Sequence, residues 1–311
     1  MKRTSFSAIA LLLCILTTLQ LSAQQNLSEK IPIDNKVKVG KLANGLTYYI
    51  RQNSKPEKKV ELRLVVNAGS ILEDNDQQGL AHFTEHMAFN GTKNFKKNEL
   101  VNFLQSIGVD FGADLNAYTS FDETVYILPI PLSDPNNFTK GLQILQDWAG
   151  GISFEGKQID DERGIILEES RLGKGAEDRM FRKIYPKQYE GSKYAQRLPI
   201  GKDSLLKTFK HSAIKRFYTD WYRPNLMAVM VVGDIDVAAT EKLINQYFGG
   251  LKNPANPRPR TYASIPARTK NDALVVTDKE ATNFQIELNY STVKTKPETT
   301  VEDYRKNSII K

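Results

Sequence analysis

A chain of 311 residues, 40% hydrophobic and 25% charged, is long enough for one or two domains with packed cores. Its formal charge of +7 is modest and its Lys residues are scattered, so the composition does not indicate a nucleic-acid-binding surface. The one cysteine, Cys14, lies near the N-terminus. The rest of the chain has neither disulfides nor thiolate ligands, so any metal must be held by His, Asp or Glu.

The first 23 residues have the pattern of a secretory signal peptide. A Lys-Arg pair at positions 2 and 3 precedes a mostly apolar run from Ala8 to Leu21, and small residues precede Gln24. The run is too short for a membrane span, and Cys14 lies too far inside it for a lipoprotein signal. We expect cleavage before Gln24, a remaining charge of +5, and export to the periplasm or beyond. An uncleaved N-terminal anchor is the alternative; no later apolar run approaches the length of a span.

From residue 36 onward, hydrophobic periodicity predicts strands and helices in alternation. The first hairpin is indicated by an Asn-Gly turn between two strand-like runs, and several helices are closed by Gly. The predicted elements, in chain order, are a hairpin over 36–51, a strand over 60–66, helices over 78–89 and 97–107, an extended segment over 116–130 with a strand over 125–129, helices over 137–150, 156–172 and 210–218, a strand over 226–232 and a helix over 237–248.

A change in composition predicts the domain boundaries. Residues 30–251 are interpreted as one α+β domain, and the Pro-rich stretch 252–269 as a linker. New strand patterns follow at 273–276 and 284–288. We expect residues 270–311 to be the truncated start of a second domain, since too few residues follow to close a core.

Two of the three histidines, His82 and His86, lie four residues apart on the predicted helix 78–89. This spacing puts both imidazoles on one helix face, and Glu85 shares that face while an apolar stripe lies opposite. The H-x-x-E-H pattern is one of the zinc-peptidase motifs. Two ordinary surface histidines are the alternative.

A catalytic zinc site needs a third protein ligand and one open position. His211 is expected at the surface because it begins a helix rich in Lys and Arg. On the predicted helix 156–172, Glu162 and Glu169 lie two turns apart on one face, where either a metal or a supporting role would explain a partly buried carboxylate. Other acidic residues of this helix are expected to be solvated: Asp160, Asp161 and Glu168.

Five segments of the chain carry a family resemblance: Gly79 to Thr92, Asn116 to Asp122, Asp161 to Glu169, Arg197 to Gly201 and Trp221 to Pro224. In sequence and order they resemble the pitrilysin family of zinc peptidases, which includes insulin-degrading enzyme and the mitochondrial processing peptidases.

The resemblance implies an α+β fold with a mixed, mainly antiparallel sheet packed by helices on one side, followed by the start of a second similar domain. By the same resemblance, His82, His86 and Glu169 match the ligands of one zinc ion per chain. Glu85 matches the catalytic base, and Glu162 matches a supporting carboxylate.

The expected function is that of a secreted zinc metalloendopeptidase, in which Glu85 assists attack of zinc-bound water on peptides or small unfolded proteins. The resemblance also implies substrate binding along an edge strand at Asn116, Ala117, Tyr118 and Thr119, for which a plain sheet strand is the alternative. In that family two similar halves close around the substrate. We therefore expect a second homologous half, on the same polypeptide or on a partner, and poor peptide hydrolysis by this chain alone.

Two other classes remain as alternatives. One is a non-catalytic scaffold or partner subunit of the same family, although such subunits usually lose motif residues that are present here. The other is an S-ribosylhomocysteine lyase, which has an H-x-x-E-H helix but uses a cysteine near its metal. Zinc content measured together with peptide cleavage discriminates among these classes.

Overall fold

A computed structural model describes residues 26–109, 116–289 and 299–310. The predicted signal segment lies outside these residues. The chain divides into two compact units. The larger is Asn35–Glu287; in the smaller, Lys30 and Thr300 form an antiparallel bridge just before the C-terminal helix. None of the helices in the described ranges has the length and apolar character needed to cross a bilayer.

The larger unit contains six strands and eight helices among its described residues, and the smaller unit contains one helix. The strands are β1 (Val37–Lys41), β2 (Thr47–Gln52), β3 (Lys59–Val66), β4 (Asn116–Thr119), β5 (Thr124–Pro131) and β6 (Met227–Gly233). The helices are α1 (Leu80–Met87), α2 (Glu99–Ser106), α3 (Pro135–Gly150), α4 (Gly156–Leu172), α5 (Ala176–Gln188), α6 (Asp203–Thr208), α7 (His211–Trp221), α8 (Val237–Phe248) and α9 (Val301–Ile310). Short 3-10 turns occur at Ser70–Leu72, Lys193–Gln196 and Pro224–Leu226.

The six strands form one mixed sheet in the order β1-β2-β6-β3-β5-β4. Only the β2–β6 pair is parallel. Side chains alternate between the two faces of a strand, and in β3 every second residue, from Val60 to Val66, is buried. Helices α3 and α8 pack on this sheet. The expected fold, a mainly antiparallel mixed sheet with helices on one side, is confirmed.

Helix α1 is held between the sheet and two other helices. It contacts β4 and β5 on one side and α4 and α7 on the others. Its apolar stripe of Leu80, Phe83 and Met87 is fully buried, so hydrophobic burial fixes the orientation of the polar face. That face is therefore turned toward α4 and the edge strand β4.

Most predicted elements are present, and α4 and α8 have the predicted bounds. Helices α5, α6 and α9 are not among the predicted elements. Of these, α5 is the longest. Its sequence is strongly polar and contains Pro186, which argues against a helix, although Met180, Phe181, Ile184 and Tyr185 recur at helical spacing.

The strands predicted at 273–276 and 284–288 are wrong. These residues form neither strand nor helix in the structure. Val275, Phe284 and Ile286 are each more than four-fifths exposed, and no strand within the described ranges pairs with these segments. An alternating pattern alone does not make a strand without a partner that buries its apolar face. The domain boundaries themselves stay a prediction.

Candidate metal centre

Helix α1 brings three polar side chains to one place. His82 and His86 lie one turn apart, with ring centroids 4.7 Å apart and planes at 84° to each other. Their Nε2 atoms are separated by 3.2 Å. Glu85 lies on the same side of the helix and is 7% exposed. The predicted helical spacing thus directs both imidazoles at a common point.

Helix α4 supplies two carboxylates to the same point, two turns apart. Glu162 is almost fully buried, and its Oε1 lies 2.8 Å from His86 Nδ1 while its Oε2 accepts a hydrogen bond of 2.7 Å from Asn90 Nδ2. Glu169 is half exposed, with carboxylate oxygens 3.7 Å from His82 Nε2 and 3.5 Å from His86 Nε2. Glu162 therefore contacts Nδ1 of His86, and Glu169 lies near the Nε2 atoms of both imidazoles.

The other acidic residues of α4 are turned away from this point. Asp160, Asp161 and Glu168 are exposed and pair with Lys or Arg side chains of the same helix. His211 lies 2.9 Å from Asp160 and takes no part in the cluster. The structure thus separates solvated carboxylates from clustered ones along a single helix.

The donor set of His82, His86 and Glu169 fits a zinc ion. Each offers one ligand atom, and these atoms lie within 4.8 Å of one another. Tetrahedral zinc with bonds of about 2.0–2.1 Å places its ligand atoms about 3.3 Å apart. The two Nε2 atoms are 3.2 Å apart, which is close to that value, and Glu169 approaches each ring with a different oxygen, Oε1 at 3.7 Å from His82 Nε2 and Oε2 at 3.5 Å from His86 Nε2.

The electrostatics of the two imidazoles differ. Burial, together with the charge of His86, lowers the pKa of His82 to about 3, so this ring is neutral and able to act as a ligand. Burial also lowers the pKa of His86, but the hydrogen bond to Glu162 and the charges of Glu162, Glu85 and Glu169 outweigh it and leave this pKa raised. When Nδ1–H donates to Glu162, the Nε2 lone pair of His86 is directed toward His82 and Glu169.

Glu85 is not one of the three candidate metal ligands, and a separate hydrogen bond holds its side chain. Its Oε2 accepts a hydrogen bond of 2.7 Å from the Thr119 hydroxyl on β4. Burial raises the pKa of Glu85, and the Thr119 bond opposes this rise without cancelling it. A buried carboxyl with a raised pKa beside a metal-type cluster is a suitable proton acceptor and donor.

Strand β4 carries the four residues predicted to bind substrate. Among the described residues it pairs only with β5, so it forms the outer edge of the sheet and no described strand pairs with its other side. Tyr118 is 48% exposed on the face away from α1, whereas Ala117 and Thr119 are partly buried. The outer strand of the sheet therefore runs directly beside Glu85.

Two contacts at the centre were not anticipated from the sequence. Thr119 was expected to act through its backbone, but its hydroxyl also fixes Glu85. Asn90 is not among the predicted site residues, yet its amide donates to Glu162 and to the His86 carbonyl. The spacing of four residues between His86 and Asn90 could have indicated the second contact.

Family models match most of the chain. The model described as "Insulinase (Peptidase family M16)" matches residues 48–198, and the model described as "Peptidase M16 inactive domain" matches residues 208–310. The first match contains all the clustered residues described above. The start of the second match lies on α6, well before the predicted linker.

Two curated relatives are named as zinc proteases. The chain is 38% identical over 245 residues to the "Probable zinc protease PqqL" of Haemophilus influenzae, an alignment covering 79% of this chain and 26% of the relative. It is 36% identical over 267 residues to the "Zinc protease PQQL-like" of Arabidopsis thaliana, covering 86% of this chain and 28% of the relative. The chain spans about a quarter of the length of these relatives.

A solved structure supports the same assignment. The first half of the periplasmic protease PqqL from Escherichia coli superposes with a TM-score of 0.72 at 35% identity. The superposition covers 77% of this chain and 51% of that structure. With both family models, the named relatives and this fold in agreement, the chain belongs to the insulinase family of peptidases, M16.

Proposed function

We propose that this chain carries the catalytic site of a zinc-dependent metalloendopeptidase acting on peptides or small unfolded proteins. One observation supports the proposal above all. His82, His86 and Glu169 each place one ligand atom within 4.8 Å of the others, and the buried carboxyl of Glu85 lies beside them next to the outer strand β4.

In this proposal His82, His86 and Glu169 hold the zinc ion, and Glu162 orients His86 through Nδ1. Bound zinc would supply a Lewis acid for the scissile carbonyl and would acidify a water molecule. Glu85 accepts the proton of the attacking water and passes it to the nitrogen of the leaving amine. Oε2 of Glu85 accepts a hydrogen bond from the Thr119 hydroxyl, so within the described part of the chain Oε1 is the oxygen left to take this proton.

The substrate is proposed to bind as an added strand along β4. Backbone groups of Asn116, Ala117, Tyr118 and Thr119 would pair with an extended peptide, which favours unfolded segments over folded proteins. The bond between Thr119 and Glu85 would then connect the position of the peptide to that of the base.

Export and a second half complete the proposal. The signal pattern of the first 23 residues and the periplasmic relative from Escherichia coli support export. Mass spectrometry of the protein from its native host should find Gln24 at the N-terminus. A match of residues 208–310 to a second domain model supports a two-half arrangement, on one polypeptide or with a partner subunit.

The substitution Glu85→Gln tests the catalytic assignment. We expect the variant to keep its zinc and to lose peptide hydrolysis by about 100-fold or more, because the amide accepts no proton. Cleavage of an unstructured fluorogenic peptide, measured with the expected second half present, gives kcat/KM, and elemental analysis gives the zinc content. Glu168→Gln, an exposed change on α4, serves as the matched control. Normal cleavage by Glu85→Gln would assign the base elsewhere.

A further inference from the structure

A buried carboxyl group lies at the start of the metal-binding helix. Glu73 follows the 3-10 turn Ser70–Leu72 and has no exposed surface. Its Oε1 accepts hydrogen bonds from Gly79 N at 3.0 Å and from Ala81 N at 2.8 Å. These two amides belong to the first turn of α1, whose N–H groups have no partners within the helix.

The helix has no cap of its own. Its N-cap residue, Gly79, has a left-handed backbone with φ 102° and offers no side chain. Glu73 therefore supplies from a distance the acceptor that a Ser, Asp or Asn N-cap usually provides. A carboxyl group there also interacts favourably with the helix dipole.

The two imidazoles differ in how their directions are fixed. Nδ1 of His86 is bonded to Glu162, which fixes the ring from behind. Nδ1 of His82 is buried and has no hydrogen-bond partner among the described residues. Metal-binding imidazoles usually donate their second nitrogen to such a partner. The direction of His82 therefore depends on the backbone of the turn that Glu73 holds, since His82 directly follows Ala81.

The surroundings keep Glu73 in place despite the cost of burying it. Arg197, itself buried, donates from Nε to the Glu73 carbonyl at 3.3 Å, and the Ser70 hydroxyl donates to the Arg197 carbonyl at 2.6 Å. Burial raises the pKa of Glu73 to about 8, against the lowering effect of the two amides and of Arg197. Because Oε1 is an acceptor in both the charged and the neutral carboxyl, the two bonds to α1 persist in either state.

We propose that Glu73 is a positioning residue for the metal site. By capping α1 it sets the direction of the His82 ring, a task that a hydrogen bond to Nδ1 performs for the His86 ring. The inference rests on the proposed function, since it requires that His82 bind zinc. Glu73 touches neither the metal nor the substrate in this proposal. Its effect on zinc affinity passes through the backbone at Ala81.

The test compares the zinc dissociation constants of the full chain and its variants by competition with a chromophoric chelator. Glu73→Ala removes the acceptor and should weaken zinc binding about tenfold or more. Glu73→Gln keeps an oxygen for the two amides and should stay within about threefold of wild type. Asp236→Ala removes the side-chain cap of α8, which lies outside the metal site, and should lose thermal stability without changing zinc affinity.

A cobalt-substituted sample adds a readout of ligand geometry. The visible spectrum of the Co²⁺ form should change in Glu73→Ala and remain unchanged in Asp236→Ala. If Glu73→Ala does not fold, Glu73→Asp replaces it, because the shorter side chain cannot reach both amides and should also weaken zinc binding.

The outcomes separate this inference from the proposed function. Tight zinc binding by wild type together with unchanged affinity in folded Glu73→Ala or Glu73→Asp would overturn the positioning role alone. A loss in Asp236→Ala equal to that in Glu73→Ala would also overturn it, since general destabilisation would then explain both. Absence of zinc binding by wild type would remove the proposed function, and this inference with it.

Discussion

The substitution Glu162→Gln perturbs the support of His86 with almost no change in shape. In the wild type, Glu162 accepts from His86 Nδ1 with one oxygen and from Asn90 Nδ2 with the other. A glutamine has only one oxygen. If that oxygen faces His86, the new amide NH₂ faces the amide NH₂ of Asn90. Rotating the Asn90 amide would relieve this conflict but would lose its bond to the His86 carbonyl.

The expected loss follows from the burial of this pair of bonds. Glu162 is 4% exposed, so solvent does not replace a missing partner. Mutating the residue that hydrogen-bonds a metal-binding imidazole typically weakens metal affinity 10- to 100-fold, or about 1.4–2.7 kcal/mol. We expect Glu162→Gln to fall in this range while its zinc-free form remains folded.

The assay is a zinc competition titration of wild type, Glu162→Gln and Glu168→Gln. Glu168 makes the matched control because it lies on the same helix, carries the same charge and pairs only with exposed Arg171 among the described residues. The control should bind zinc as wild type does. If Glu162→Gln also binds zinc as tightly as wild type, the supporting role assigned to Glu162 is wrong.

Three further predictions follow from individual contacts. Gly201→Ala should lower the free energy of unfolding by about 2–4 kcal/mol, and with it the melting temperature, because the added Cβ would lie 2.3 Å from the backbone at the start of α1. Gly250→Ala, where the added Cβ meets open space, is the control in thermal unfolding. Thr119→Val should reduce kcat about tenfold with little change in KM, since it removes the donor to Glu85 but leaves the strand backbone intact, and Thr119→Ser should restore kcat. Because the raised pKa of Glu73, about 8, lies above its ordinary value, the folded state binds this proton more tightly. Stability should then fall as pH rises from about 5 to about 9, and chemical denaturation should show a smaller fall in Glu73→Gln.

Much of the fold was predictable because its signals are local. The Asn-Gly hairpin, the apolar stripe of α1 and the periodicity of α4 and α8 each lie within one element. Helix α5, where Pro186 argues against a helix, and the two wrongly predicted strands depend instead on contacts between distant parts of the chain. Polar helices are stabilised by contacts distant in the chain, and a strand needs a partner that its own sequence does not reveal.

In the candidate site, too, features that lie within one helix were predictable, and contacts between separate segments were not. The spacing of His82 and His86 and the face shared by Glu162 and Glu169 are properties of single helices, so they could be read from the sequence. That α4 should face α1 came only from the family resemblance. The contacts of Thr119 and Glu73 with α1 depend on how separate segments meet, and no local pattern indicates them.

Zinc content tests the central claim most directly. Elemental analysis of wild type and of His82→Ala, both loaded with zinc, freed of excess metal and confirmed as folded by circular dichroism, should find about one zinc per chain in wild type and almost none in the variant. Equal zinc in the two proteins would contradict the assignment of His82, His86 and Glu169 as the metal site.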